Sequence, residues 1–541
     1  MFLKIFRNNV NLASILTIIF SLICFSILVI YAREFINLQG IDAYGWIYLG
    51  LLFVFFVPFS FMASHYFTLM LLSTSYYYFK DKKQSRAESI PTSSVAILYA
   101  TCNDFDPVSL QSCITQDFGR FNVYVLDDSS LMSKRAEIDD FVDSARLNSR
   151  CGIYIVRREN RNGAKAGNIN NSLQFINEDY CVICDADQVL MPNFCTEILA
   201  HIVADDNLAY VQGLHCAREG ANSLLPRMLN YGIYLFWGIV LPVRMAFGFP
   251  MFLGHGGIIK TSILKSIKFP EVVAEDLAFS VACYDAGYIG KYADNVFSYE
   301  AFPESVRDFR KRHMKWVRGT CEFLRLFSSK IISSKNLEFR HKWDIFLSLI
   351  QVPFGFVFII FSVVNFFFLY HYWLNPDVNF PLRFEPLFFS LACLISISPF
   401  LPFAVPLIIK RRFIQLFVFY TLGIAIYVAT LPITFFGMIG YFYDKKADFI
   451  TTGDSFSDTA LSGFRNPNSL MMFFSEIAVG CVFVFFGSLF KILGVIGLGL
   501  SFLLFPLLCV FDLTRRNVVF AMAGPILTIF SYFIFTYPSF G

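Results

Sequence analysis

Long apolar runs almost without charge bracket a single polar block, and this layout limits what the chain can fold into more than any other feature. A helix needs about 20 consecutive apolar residues to cross the hydrocarbon of a bilayer. Residues 11–31 and 46–73 meet that length before the block, and residues 345–372, 386–409, 471–489, 493–511 and 518–537 meet it after. The first run lacks a small-residue cleavage site and soon meets the second, so it reads as an anchor and not as a signal peptide. Hydrophobic residues make up 56% of the chain and include 67 phenylalanines, more than a water-soluble surface carries. The net charge of +3 gives no reason to expect nucleic-acid binding. Thirteen scattered cysteines suit a reducing compartment better than a disulfide framework. Cys181 and Cys184 form a CxxC, but in a β-like run their side chains point to opposite faces.

Basic residues flanking the spans set the orientation. Lys4 and Arg7 precede the first run, and Lys80, Lys82, Lys83 and Arg86 follow the second, so both flanks are expected in the cytosol. The expected division is two N-terminal transmembrane helices over 1–84, a cytosolic domain with interfacial helices over 85–342, and a second transmembrane region over 343–541. Lys410, Arg411 and Arg412 precede the run 413–441, and Lys445 and Lys446 follow it. Both flanks are expected inside, so 413–441 reads as an interfacial or re-entrant segment broken at Pro432, with a single crossing as the alternative. The whole is expected to be a multi-pass protein of the cell (inner or cytoplasmic) membrane. The last span is expected to leave too little chain for a PilZ-like regulatory domain.

Strand-like runs at 95–99, 122–126, 152–156 and 180–184 alternate with helical stretches, the pattern of an α/β sheet. Ligands of such sheets bind at the carboxyl ends of the strands, where Asp127-Asp128 and Asp185-x-Asp187 stand. Positions i and i+2 of an extended chain share a face. Asp185 and Asp187 would then form a hard-oxygen site for Mg2+ or Mn2+, able to neutralise a diphosphate leaving group. A solvated acidic loop is the plainer alternative. Lys165, among small residues in Asn162-Gly-Ala-Lys165-Ala-Gly167-Asn168, suits a phosphate, or else an exposed lysine at a helix start. Glu275 and Asp276 open a helix, either complementing its dipole or supplying a general base. Arg312-His-Met-Lys315-Trp316 suits either a lipid headgroup layer or a sugar ring beside a pyrophosphate.

Taken in order, these motifs resemble the membrane-embedded family 2 inverting glycosyltransferases, which include cellulose and hyaluronan synthases. The matching pieces are Asp127-Asp128, Lys165-Ala-Gly-Asn168, Asp185-x-Asp187, Ala274-Glu275-Asp276 and Arg312-x-x-Lys315-Trp316. The resemblance implies a GT-A fold for the cytosolic α/β domain, inserted in a polytopic α-helical transmembrane region. It implies nucleotide-sugar contacts from Asn103, Asp104, Asp127, Asp128, Lys165, Asp185, Arg312 and Lys315, and a Mg2+ or Mn2+ ion on Asp185 and Asp187. Asp276 would be the catalytic base with Glu275 beside it, and Trp316 would meet the acceptor. Residues 442–465 are similar to a gating loop, with Phe449, Thr451 and Thr452 as its contacts. Arg312 and Lys315 replace the Gln and Arg usual in the tryptophan motif, Asp454 replaces the gating lysine, and Cys102 stands where a tyrosine is common. Phe252-Leu-Gly254-His255 and Ser298-Tyr-Glu300 look closer to the periplasmic-glucan glucosyltransferases. The implied function is a processive synthase that makes a β-glucan from UDP-glucose and carries it across the membrane. Its partners would be the UDP-sugar, the growing polysaccharide, membrane lipid and export or periplasmic proteins. Addition of one sugar to a lipid is the alternative. A transporter without catalysis would need ionisable residues inside its spans, where this chain has almost none.

This topology predicts that a single cysteine at Asn375, in a background without native thiols, reacts with an impermeant reagent on intact cells. One at Ser455 should react only after the membrane is opened, and labelling of Ser455 in intact cells contradicts the reading.

Overall fold

The chain opens with two long helices, α1 (Leu12–Ile36) and α2 (Ala43–Phe79), uniformly apolar and joined through a Thr17–Thr68 hydroxyl contact of 3.1 Å. Their facing side chains, Leu28, Phe56 and Ala63 among them, are buried. The computed structural model describes residues 12–36, 43–79, 93–218, 224–303, 305–375, 398, 401–419, 424–447 and 467–510.

The polar block folds into a sheet of eight strands: β1 (Val95–Thr101), β2 (Phe121–Asp127), β3 (Gly152–Val156), β4 (Tyr180–Asp185), β5 (Gln188–Leu190), β6 (Leu208–Ala217), β7 (Gly257–Lys260) and β8 (Ile289–Glu300). Their spatial order is β3-β2-β1-β4-β7-β6-β8-β5. The first four strands in that order are parallel, and β1, β2 and β4 are buried on both faces, which is why they read as unbroken apolar runs, while edge strand β3 leaves Tyr154 exposed. The chain reverses its winding between β1 and β4, the position where open α/β sheets leave a crevice. Register puts Asp127 opposite Thr101 and Asp185 opposite Ala100, so the acidic strand ends share one edge. β7 runs antiparallel between β4 and β6. Its start, just after His255, therefore lies between Ile183 near the end of β4 and Gln212 within β6. Helices α3 (Ala164–Ser172) and α4 (Glu275–Asp285) cover the same face of the sheet through Ile169 and Phe279. Cys181 and Cys184 fall into separate cores on opposite faces of β4, as the alternation requires.

Helix α5 (Val306–Ser333) is amphipathic and follows the sheet, with Ser305 capping it through the Asp308 N–H. Next comes α6 (Phe339–Leu349), where Ile345 was expected to open a span. Instead Ile345 is buried with Phe249, Leu277 and Phe323, and the apolar stretch long enough to cross starts at Val352 in α7 (Gln351–Leu374). Asp344 explains the difference: it accepts from the Arg244 guanidinium at 2.8 Å and the Phe249 N–H at 2.7 Å, so α6 belongs to the α/β domain. The run 413–441 divides into Phe413–Val418, Ile424–Ala429 and α8 (Leu431–Asp444). The preceding helix ends at Ala429 and Pro432 sits in the first turn of α8, so the run is interrupted beside Pro432 as expected. By length and composition, Ile426–Asp444 is apolar enough to cross, which matches the single-crossing alternative to the interfacial reading.

Helices α9 (Pro467–Leu489) and α10 (Leu493–Val510) pack together at the C-terminal end. Five candidate spans stand among the described residues: Ala13–Ile30, Ala43–Thr74, Val352–Leu374, Ile426–Asp444 and Leu470–Leu489. Residues 518–537, most of 386–409 and the gating-loop residues Phe449, Thr451 and Thr452 lie outside the described residues.

Arg244 and Asp344 are nearly inaccessible, at 4% and 9% side-chain exposure. Removing one partner leaves a buried uncompensated charge, so Asp344→Ala should destabilise the domain by about 3–5 kcal/mol. Thermal unfolding in detergent checks this, and an unchanged transition contradicts it.

Candidate active site

Lys165 is set by a strained turn. Gly163 takes φ +71° and Ala164 φ 43°, which starts α3 abruptly and points the lysine back across the sheet edge. Its ammonium lies 2.5 Å from Asp185 Oδ1 and donates to the Gly254 carbonyl at 3.0 Å. Gly254, at φ +90°, lies between this ammonium and Asp276: a Cβ there would stand 3.4 Å from Asp276 Oδ2 and 3.8 Å from Lys165 Nζ. Burial works to lower the Lys165 pKa, and Asp185, Glu275 and Asp276 outweigh it and hold the pKa above the ordinary value.

Asp185 ends β4, while Ala186 and Asp187 form a turn into β5. The two carboxylates are thus neighbours through a turn and not through a shared strand face. Burial, with Asp185 and Glu300 nearby, pushes the Asp187 pKa up to about 7. Asp185 Oδ1 is buried against the Lys165 ammonium, while Asp185 Oδ2 faces His255 Nε2 at 3.9 Å. Oxygen donors clustered in this way fit a divalent ion.

Glu275 and Asp276 form the first turn of α4, and no side chain caps that helix. Burial and the adjacent Asp276 push the Glu275 pKa up to about 7. Asp276 is raised chiefly by burial, while its Oδ1 accepts from the Leu277 N–H at 2.7 Å. Lys315, on α5, is lowered by burial, and Glu275 acts against that. Arg312 is 3.7 Å from Glu300, and its guanidinium lies 4.9 Å from the centre of the Trp316 ring, which is 44% exposed.

The expected nucleotide contacts are organised differently. Asp127 pairs with Arg157 at 2.7 Å and Asp128 with Arg158 at 2.6 Å, so both carboxylates are tied to residues just after β3. Asn103, at φ 65°, accepts from the Ser130 and Leu131 N–H groups. Asp104 accepts from Thr101 and Cys102. These residues build the loop at the winding reversal, beside Lys165 and the Asp185–Asp187 turn. His215 was not expected to take part, and His255 and Glu300 were noted only within motifs. His255 Nε2 is 3.3 Å from Glu300 Oε2 and 3.9 Å from Asp185 Oδ2, and His215 Nδ1 is 3.4 Å from Glu300 Oε2. The three come from widely separated segments: β6–β8 pairing brings His215 beside Glu300, and the antiparallel insertion of β7 adds His255.

Residues 180–439 match the family model described as "Glycosyl transferase family group 2". The match covers just under half of the chain. The stretch that resembles a family 2 glycosyltransferase holds the Asp185–Asp187 turn, Glu275, Asp276 and the Arg312–Trp316 segment. Putative cellulose synthase 2 of Komagataeibacter xylinus is 28% identical over 215 residues, covering 38% of this chain and 13% of that protein. Glucomannan 4-beta-mannosyltransferase 7 of Arabidopsis thaliana is 26% identical over 232 residues, 41% of each chain. The match therefore spans less than half the length of either relative. A solved mannosyltransferase from Pyrobaculum calidifontis, in complex with GDP-Man and Mn2+, superposes with a TM-score of 0.43 at 16% identity over 67% of this chain and 97% of its own. The sheet order and the family match together describe a GT-A-like α/β domain with candidate membrane helices around it.

With Glu275 titrating near pH 7, proton uptake at this carboxylate pair should cut kcat/KM as pH falls through that value. Glu275→Gln removes a like charge beside Asp276 and should move the acidic limb to lower pH. A limb that does not move contradicts the coupling.

Proposed function

We propose that this chain is a processive inverting glycosyltransferase, a hexosyltransferase that uses a UDP-sugar, UDP-glucose in the leading reading, to build a β-glycan at the cytosolic face and pass it across the membrane. The observation that carries the reading is the convergence of Lys165, Asp185, Glu275 and Asp276 at one sheet edge, held by a helix that is itself fastened to the membrane helices. That helix is α5. His313 meets Thr434 Oγ1 at 2.8 Å, Arg325 donates to Tyr441 Oη at 2.8 Å, and Arg310 pairs with Glu476 of α9. A sugar ring stacked on Trp316 would lie where these elements meet. The similarity to a cellulose synthase and a glucomannan mannosyltransferase supports a glycan product.

In this reading Lys165 binds the donor diphosphate, exchanging its contact with Asp185 for phosphate oxygens. Asp185 and Asp187 would hold Mg2+ or Mn2+, which neutralises charge on the leaving diphosphate when bound. Asp276 takes the proton of an acceptor hydroxyl as its oxygen bonds to the anomeric carbon. The bond from that carbon to the diphosphate breaks, and UDP leaves with the electron pair. Asp127, Asp128, Asn103 and Asp104 shape the nucleotide pocket, and Arg312 and Lys315 add positive charge near the pyrophosphate. Phe449, Thr451 and Thr452 would close over the bound donor.

Asp276→Asn keeps the shape and removes the base, so turnover should fall about 10²–10⁴-fold while UDP binding persists. Near-wild-type turnover overturns the assignment. Purified protein in lipid, given radiolabelled UDP-sugars one at a time, should yield a polymer from one donor that a β-glycosidase digests. A single labelled sugar on lipid would instead establish the non-processive alternative.

A further inference from the structure

We propose that His215, His255 and Glu300 hold a divalent transition-metal ion, of the class zinc represents, in a site separate from the Asp185–Asp187 turn. Their ligand atoms all lie within 4.8 Å of one another, in a buried corner made by the ends of β6 and β8 and the start of β7. Glu300 Oε2 is 3.4 Å from His215 Nδ1 and 3.3 Å from His255 Nε2. A tetrahedral ion with bonds of about 2.0–2.1 Å separates its ligands by about 3.3–3.4 Å, so these two separations match two pairs of ligands on one ion, and the two imidazoles lie within 4.8 Å of each other.

Tautomer logic points the same way. His215 Nε2 lies 3.0 Å from the His255 carbonyl, which can only accept, so that nitrogen carries the hydrogen. In the neutral ring, Nδ1 then presents a lone pair to the Glu300 carboxylate. Two acceptors facing each other in a buried site need a cation between them, either a metal ion or the proton of an imidazolium, and the metal-loading test below separates the two. A carbonyl fixing the far nitrogen is also the support that metal-ligating histidines use. Gln212 completes that support by donating to the His255 carbonyl at 2.9 Å and the Gly256 carbonyl at 3.1 Å. Both imidazoles are held in a stack, with His215 between Trp237 (3.9 Å) and His255 (4.3 Å). The two oxygens of Glu300 divide their work, Oε1 toward Arg312 at 3.7 Å and Oε2 toward the imidazoles.

The donor chemistry separates this site from its neighbour. Two imidazoles and one carboxylate suit zinc and related ions, whereas the Asp185–Asp187 oxygens suit Mg2+ or Mn2+. An ion here would tie together three strand ends and fix the wall against which Asp185 lies.

The test loads full-length protein in lipid nanodiscs with Zn2+ or Co2+, without nucleotide, and measures metal content after desalting. About one zinc per chain should be retained in wild type, as three protein ligands allow. It should be lost in His215→Ala and His255→Ala and kept in Asp187→Ala. Gln212→Ala, which spares the ligands, should weaken zinc binding about 10–100-fold. The visible spectrum of cobalt-loaded wild-type protein should show the intense bands of a four-coordinate site with nitrogen ligands, a readout that needs no variant. No retained metal, a weak six-coordinate oxygen spectrum, or binding that is lost in Asp187→Ala and kept in His215→Ala each overturns the proposal.

Discussion

Lys165 cannot be understood apart from the carboxylates around it. A buried ammonium is unfavourable unless charge nearby compensates it, and two adjacent carboxylates, Glu275 and Asp276, are unfavourable unless a cation faces them. Each therefore depends on the others, and the local backbone is arranged to satisfy both. The left-handed turn at Gly163 and Ala164 aims the lysine, Gly254 lets the ammonium and Asp276 approach a single backbone position, and the turn after β4 brings in Asp185. A cluster compensated this way in the free protein is ready to exchange partners. In the function proposed above, a diphosphate arriving at the lysine would free Asp185 to hold a metal ion and leave the acidic pair to handle a proton.

Sheet topology gathers these groups. Parallel β2 and β4, on either side of β1, deliver acidic ends to one edge, and antiparallel β7 brings the Gly254–His255 segment to the same place. The edge is then connected to the membrane. Helix α5 carries Arg312, Lys315 and Trp316 toward the site and packs on α8, where Gly437 leaves room for Met314 and Val317. A shift of the membrane helices would therefore reach the acceptor side of the site through a rigid element.

The features that could be read from sequence are those in which one short segment carries the whole signal. Uniform apolar runs announced α1, α2 and α7, and apolar strands ending in aspartates announced β2 and β4. Lys165 and the Glu275–Asp276 pair were visible because small residues or a helix start marked them. What escaped was decided by distant partners. Asp127 and Asp128 look free in sequence, and only the β2–β3 register reveals that Arg157 and Arg158 hold them. Ile345 is as apolar as a membrane residue, and the Arg244–Asp344 pair assigns its helix to the α/β domain instead. His215, His255 and Glu300 have no local spacing at all.

UDP affinity tests the central claim most directly, because it reads the lysine-carboxylate cluster without depending on acceptor or product. Titration of UDP, with Mn2+ present, into wild-type protein and into Lys165→Met isolates the ammonium. Losing one charge-assisted bond of about 1.5–3 kcal/mol should weaken binding about 10–100-fold. Chelating the metal should weaken the wild type as well. UDP binding that is the same in both proteins, with or without metal, would place the donor elsewhere and contradict the account.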